Sequence, residues 1–202
     1  MSTHSNRPTR SAGDSRYVEP EVGFPPAERR TTTWLSLPRE ISASLLAILT
    51  VPLSLPPTHL PPWAVFIAWA GTFAAGGPKP ENLRKLAFAM PVGSFFAMLI
   101  VLMFSAASEI VPAGAPYVLT EMVILFVMNS LLLFVARIVP ALSFIPGMFF
   151  GFASYFATYF GGWGLTEQNA FHALWAAVLM NLVGLLFAYV NVKTTREADQ
   201  HH

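Results

Sequence analysis

Residues 86–105 read LAFAMPVGSFFAMLIVLMFS, a run without one charged side chain. As a helix rising about 1.5 Å per residue, such a run is as long as the roughly 30 Å hydrocarbon core of a bilayer. It belongs inside a large protein or in lipid, and composition decides which. Only 11% of the 202 residues are charged, less than half the share of about 25% found in soluble domains, while 54% are hydrophobic. So few charges cannot coat a water-facing surface. The sequence predicts an all-α polytopic membrane protein whose partner is the lipid bilayer, because a helix satisfies its backbone polar groups within one apolar segment. A net charge of +1 gives no electrostatic case for nucleic-acid binding. The chain has no cysteine, which excludes disulfides, thiolate catalysis and Cys-ligated metal centres.

Six transmembrane helices are expected, at residues 41–55, 60–76, 86–105, 118–136, 141–160 and 171–192. The last four meet the length of about 17–25 residues that a tilted span needs. The first two are short and flanked by Pro52, Pro56, Pro57, Pro61 and Pro62, so a re-entrant pair is their alternative reading. Basic residues set the orientation. With both termini on one side, segments 1–40, 77–85, 137–140 and 193–202 share that side and hold all 12 Lys and Arg. The opposite loops, around His59, Glu109 and Glu167, hold none. The positive-inside rule then places both termini in the cytoplasm, with the protein in a bacterial inner membrane. A re-entrant first pair would leave this parity unchanged.

Residues 1–36 mix Arg, Glu, Ser, Thr and Pro with few apolar side chains, and are expected to form a disordered cytoplasmic tail. The six-helix domain is assigned to 37–192 and a short cytoplasmic tail to 193–202. No cleaved signal peptide is expected, because the first apolar run starts after Leu37.

Two regions resemble each other. Pro62-Trp63-Ala64-Val65-Phe66 leads through Thr72 and Phe73 to Gly76-Gly77 and then Glu81-Asn82. Pro146-Gly147-Met148-Phe149-Phe150 leads through Thr158 to Gly161-Gly162 and then Glu167-Gln168-Asn169. Each has a proline, an aromatic and small-residue helix, a Gly-Gly stop and a Glu/Asn loop. The pattern predicts a 3+3 inverted repeat, an arrangement common in transporters, with a site near the repeat interface. Both repeat helices carry a small-residue stripe: Ala64, Ala68, Gly71 and Ala75 in the second span, and Gly147, Gly151, Ser154 and Thr158 in the fifth. Small side chains let backbones approach, so Gly71, Gly147 and Gly151 are expected at a crossing of these two spans near the centre.

Ionisable groups deep in a membrane mark ion paths, and this chain has almost none. Glu121 lies about one turn, roughly 5 Å, inside the fourth span. Neutral polar groups do fall in the spans. Asn129, Asn181, Thr72, Thr158 and Tyr155 are the candidates for a substrate path, with Ser94, Ser130 and Tyr159 beside them. The competing role for each Asn is a hydrogen bond to a neighbouring helix. Glu121, His59 and His172 form a candidate outer mouth, without the spacing of metal ligands on one helix. There is no nucleophile elbow, zincin motif, phosphate loop or dinucleotide fingerprint. Neither an enzyme nor a metal or cofactor site is expected.

At residues 62–77 (PWAVFIAWAGTFAAGG) and 147–162 (GMFFGFASYFATYFGG) the chain resembles the domain of unknown function 1097 family, small bacterial inner-membrane proteins with several helices. The resemblance covers roughly residues 41–192. It implies a membrane fold and supplies no substrate or catalytic residue. A looser similarity, to the aromatic-acid exporter superfamily, lies in the Pro-Trp-Ala start of the second span, without the large cytoplasmic domain of those proteins. The function expected is a passive channel or transporter for a small solute. The alternative is a non-transport accessory or structural subunit, acting with another membrane protein or as a homo-oligomer. A weaker third reading is an outer-face sensor built on His59, Glu121 and His172.

Overall fold

The computed structural model describes residues 37–195, so the tails expected at 1–36 and beyond 195 lie outside the described residues. Seven α-helices follow in order: α1 (Arg39–Ile48), α2 (Thr50–Ser54), α3 (Pro62–Ala74), α4 (Pro80–Ile110), α5 (Ala115–Ile138), α6 (Ile145–Phe160) and α7 (Ala170–Thr194). A 3-10 turn, Pro140–Leu142, precedes α6. The described residues contain no strand, only an isolated bridge between Leu37 and Thr195.

Three of these helices are long and apolar enough to cross a membrane: α4 with 31 residues, α5 with 24 and α7 with 25. They correspond to the third, fourth and sixth expected spans. The other three segments are shorter than expected. The second yields α3, with 13 residues, or about 20 Å of helix. The fifth yields α6, with 16 residues, or about 24 Å. Its first residues go instead into the 3-10 turn, and Pro146 falls at the start of the helix, where a missing N–H costs nothing. The first segment splits at Leu49 into α1 and α2. Pro52 explains the split: it cannot donate to the Ile48 carbonyl, and its ring crowds that group. The Thr50 hydroxyl bonds the Ala47 carbonyl at 2.8 Å across the break. α4 is longer than the run 86–105, so Arg84 and Lys85 stand on its opening turns and not in a loop. Lys193 belongs to the last turn of α7 and not to a tail.

Packing within lipid relies on close contact and hydrogen bonds, since lipid tails are as apolar as leucine. The two most extensive seams are α4 on α6 and α3 on α7. In the first, a Cβ on Gly93 would meet the Met148 carbonyl, and one on Gly151 would meet the Met90 carbonyl. In the second, a Cβ on Gly184 would meet the Val65 carbonyl and the Ala68 side chain. α5 packs on α4 and is the least covered, with 17% of its apolar window buried against 56% for α4 and 50% for α7.

The small-residue stripes are buried, but they do not chiefly face each other. Gly147 lies against Leu86 and Ala89 of α4, and Gly151 against Met90 of the same helix. Only Gly71 of α3 meets α6, at the Phe150 ring. The reason is geometric: the long helices α4 and α7 offer the backbone surface, and each short helix lies along one of them.

α3 and α6 end in the same way. Ala75, Gly76 and Gly77 donate to Gly71, Phe73 and Thr72, while Gly161, Gly162 and Trp163 donate to Ala157, Tyr159 and Thr158. Gly76 and Gly162 hold left-handed φ values of 95° and 72°, as a Schellman-type cap requires. Thr72 and Thr158 each return a hydroxyl bond to the carbonyl four residues back.

Candidate functional site

The most unusual polar feature lies where α6 meets α7. The Ser154 hydroxyl donates to Asn181 Oδ1 at 2.9 Å, with Ser154 0% and Asn181 1% exposed. Asn181 Nδ2 is buried and has no hydrogen-bond partner. An amide donor left unmade in an apolar interior costs about 1–3 kcal/mol. Ser154 is placed by the stripe that sets Gly151 against α4, and Asn181 by the seam that sets Gly184 against α3. The pair therefore sits beside both backbone crossings.

The neighbouring hydroxyls are already used. Thr72 Oγ1 donates to the Ala68 carbonyl at 2.9 Å and Thr158 Oγ1 to the Ser154 carbonyl at 2.6 Å. Ser94 Oγ crosses from α4 to the Gly151 carbonyl at 2.8 Å. Tyr155 OH donates to the Ala170 carbonyl at 3.2 Å and its ring stacks on Tyr159. Of the five path candidates, Asn181, Thr158 and Tyr155 gather at α6 and α7, with Thr72 buried on the neighbouring α3. Asn129 is half-buried on α5, which packs on α4, and Ser130 is exposed there.

A second cluster forms between the loops before α3 and after α6. Trp163 makes an edge contact with Trp63 at 4.9 Å and lies 5.9 Å from the His59 ring. The Gly164 N–H donates to the His59 carbonyl at 2.9 Å, and Gly164 packs on the backbone of His172. Trp63 Nε1 and His172 Nδ1 are buried here without partners. His59 and His172 are thus joined through Trp163 and Gly164, whereas Glu121 belongs to α5 and its packing on α4. Among the described residues no group of three His, Cys, Asp or Glu is placed to hold a metal ion.

Three partners were not singled out from sequence: Ser154 as the mate of Asn181, Gly184 as a crossing residue, and Trp163 as the link between loops. The spacing of Asn181 and Gly184, three residues apart on one helix face, was the available signal for the second.

The fold defines a helical protein with membrane-length apolar helices. The family model described as "Protein of unknown function (DUF1097)" matches residues 40–196, and the chain belongs to that family. Comparisons with curated proteins and with solved structures give no match.

Proposed function

We propose that this chain is an integral membrane protein of six membrane segments in two inverted halves, acting as a passive channel or transporter for a small polar solute and not as an enzyme. The carrying observation is the unpartnered Asn181 amide beside Ser154 at the seam between the halves. Short, glycine-ended helices at corresponding places in the two halves point to a transport site, and α3 and α6 fit that description. The packing supports the inverted repeat. If α3 and α4 correspond to α6 and α7, the seam of α4 on α6 becomes the seam of α7 on α3, and these are the two most extensive seams. The crossing residues exchange likewise, with Gly93 opposite Met148 in one and Gly184 opposite Val65 in the other.

Six crossings are supported by the first segment's endpoints. Leu37 N–H bonds the Thr194 carbonyl at one end of α7, and His59 meets Gly164 beside His172 at the other. Residues 37–59 therefore traverse nearly the whole length of α7, as a spanning segment does and a re-entrant one does not. Arg39 and Lys193 share the first of these ends, in keeping with a cytoplasmic inner-membrane face there.

Proteoliposomes carrying the protein are expected to shrink and re-swell faster in small uncharged polar solutes, with Asn181→Leu abolishing most of the gain. Liposomes as tight as protein-free controls across a broad solute panel would count against transport. A second reading is an accessory subunit. It draws on α5, where Leu119, Met122, Val123 and Phe126 are each at least 60% exposed. Stoichiometric recovery of another membrane protein in mild detergent would favour it.

A further inference from the structure

Between α1, α3 and α7 lies a groove of about 510 Å³, lined by Arg39, Glu40, Ala43, Ala70, Phe73 and Asn191. Its floor is apolar, and its rim carries one cation and one anion on adjacent residues. The Arg39 guanidinium stands 5.7 Å from the Phe73 ring centroid, which holds its charge across the groove toward α3. Asn191, 5% exposed, forms the α7 wall and accepts a hydrogen bond from Thr195 Oγ1 at 3.1 Å. The walls are tied together: Leu37 N–H donates to the Thr194 carbonyl at 3.1 Å, and the Ser42 and Thr194 hydroxyls bond at 2.6 Å. Beyond Arg39, the exposed side chains of Ile41, Leu45 and Ile48 continue as an apolar stripe along α1.

We propose that this groove binds the headgroup of a zwitterionic phospholipid bearing a primary ammonium. The phosphate lies on Arg39 and the ammonium on Glu40, with an acyl chain following the α1 stripe. A net-anionic headgroup brings unbalanced charge against Glu40, and a cationic one against Arg39; each like-charge contact selects against the wrong ligand. The ammonium must be primary, because a carboxylate is recognised by N–H donors that a quaternary ammonium lacks. The apolar floor and stripe favour the lipid over its free headgroup. The site rests on the chain lying in a bilayer and is independent of any transported solute.

The test is native mass spectrometry of the full-length protein in detergent. It is titrated with phosphatidylethanolamine, phosphatidylcholine and phosphatidylglycerol of matched acyl chains, and with free phosphoethanolamine. Phosphatidylethanolamine is expected to bind on the order of tenfold more tightly than the other two lipids, the usual scale for one charged hydrogen bond. Free phosphoethanolamine at millimolar concentration is expected not to displace it. Glu40→Gln should erase the preference over phosphatidylcholine, and Arg39→Gln should weaken all three lipids. Both residues are exposed at the start of α1, and unchanged circular dichroism checks the fold. Equal binding of the ethanolamine and choline lipids, or a preference that survives Glu40→Gln, overturns the proposal. Displacement by the free headgroup overturns the assignment to lipid.

Discussion

The Met90 carbonyl of α4 occupies the place where a side chain on Gly151 of α6 would have to go. Three residues along each helix the relationship is reversed, with Gly93 against the Met148 carbonyl. Backbone atoms cannot swing aside as a flexible side chain can. Gly151→Ala and Gly93→Ala are therefore expected to destabilise the protein by at least about 1–3 kcal/mol, the usual cost of overpacking. Thermal unfolding in detergent reads this as a lowered Tm. Ala153→Leu, at an exposed position on the same helix, should stay within about 0.5 kcal/mol of the parent. Equal behaviour of Ala153→Leu and Gly151→Ala would remove the close crossing.

The other seam makes a matching prediction. Gly184→Ala meets the Val65 carbonyl and Ala68 and should lower Tm about as much as Gly151→Ala does. A Gly184→Ala protein as stable as the parent would break the correspondence between the two halves.

The Ser154–Asn181 pair separates stability from function. Ser154→Ala leaves both ends of a buried amide unmade and is expected to cost about 1–3 kcal/mol. Asn181→Leu removes the amide together with its unmet donor, and should be near neutral or stabilising while reducing solute flux. If Asn181→Leu is instead the more destabilising of the two, the amide has a partner that makes it structural.

Much of this layout was legible in the sequence, and the parts that were not have physical causes. The charge-free runs marked α4, α5 and α7, because length and apolarity alone define such helices. The ends were misjudged where proline intervened. Pro52 broke the first segment, and the Pro140–Leu142 turn shortened the fifth. The glycine stripes showed that backbones would meet but not which ones. Gly147 and Gly151 fit any close helix, and the length of α4 made it the partner. Ser154 was visible only as a small residue, since its bond to Asn181 spans two helices.

Asn169 closes the start of α7, its side chain accepting from the Phe171 and His172 N–H groups at 3.0 Å each. Asn169→Ala should cost about 1 kcal/mol, the usual worth of an N-cap. Hydrogen exchange should rise at residues 171–173 while the middle of α7 stays protected. Unchanged exchange in that first turn would show that the cap carries no stability.

The central claim is six crossings with the cations held on one side. The chain has no cysteine, so single-cysteine variants report without background. His59→Cys, Glu109→Cys and Leu165→Cys are expected to react with a membrane-impermeant maleimide on intact cells. Lys79→Cys and Ala141→Cys are expected to react only after permeabilisation. Protection of His59→Cys on intact cells, or of Leu165→Cys while Glu109→Cys reacts, would contradict the account.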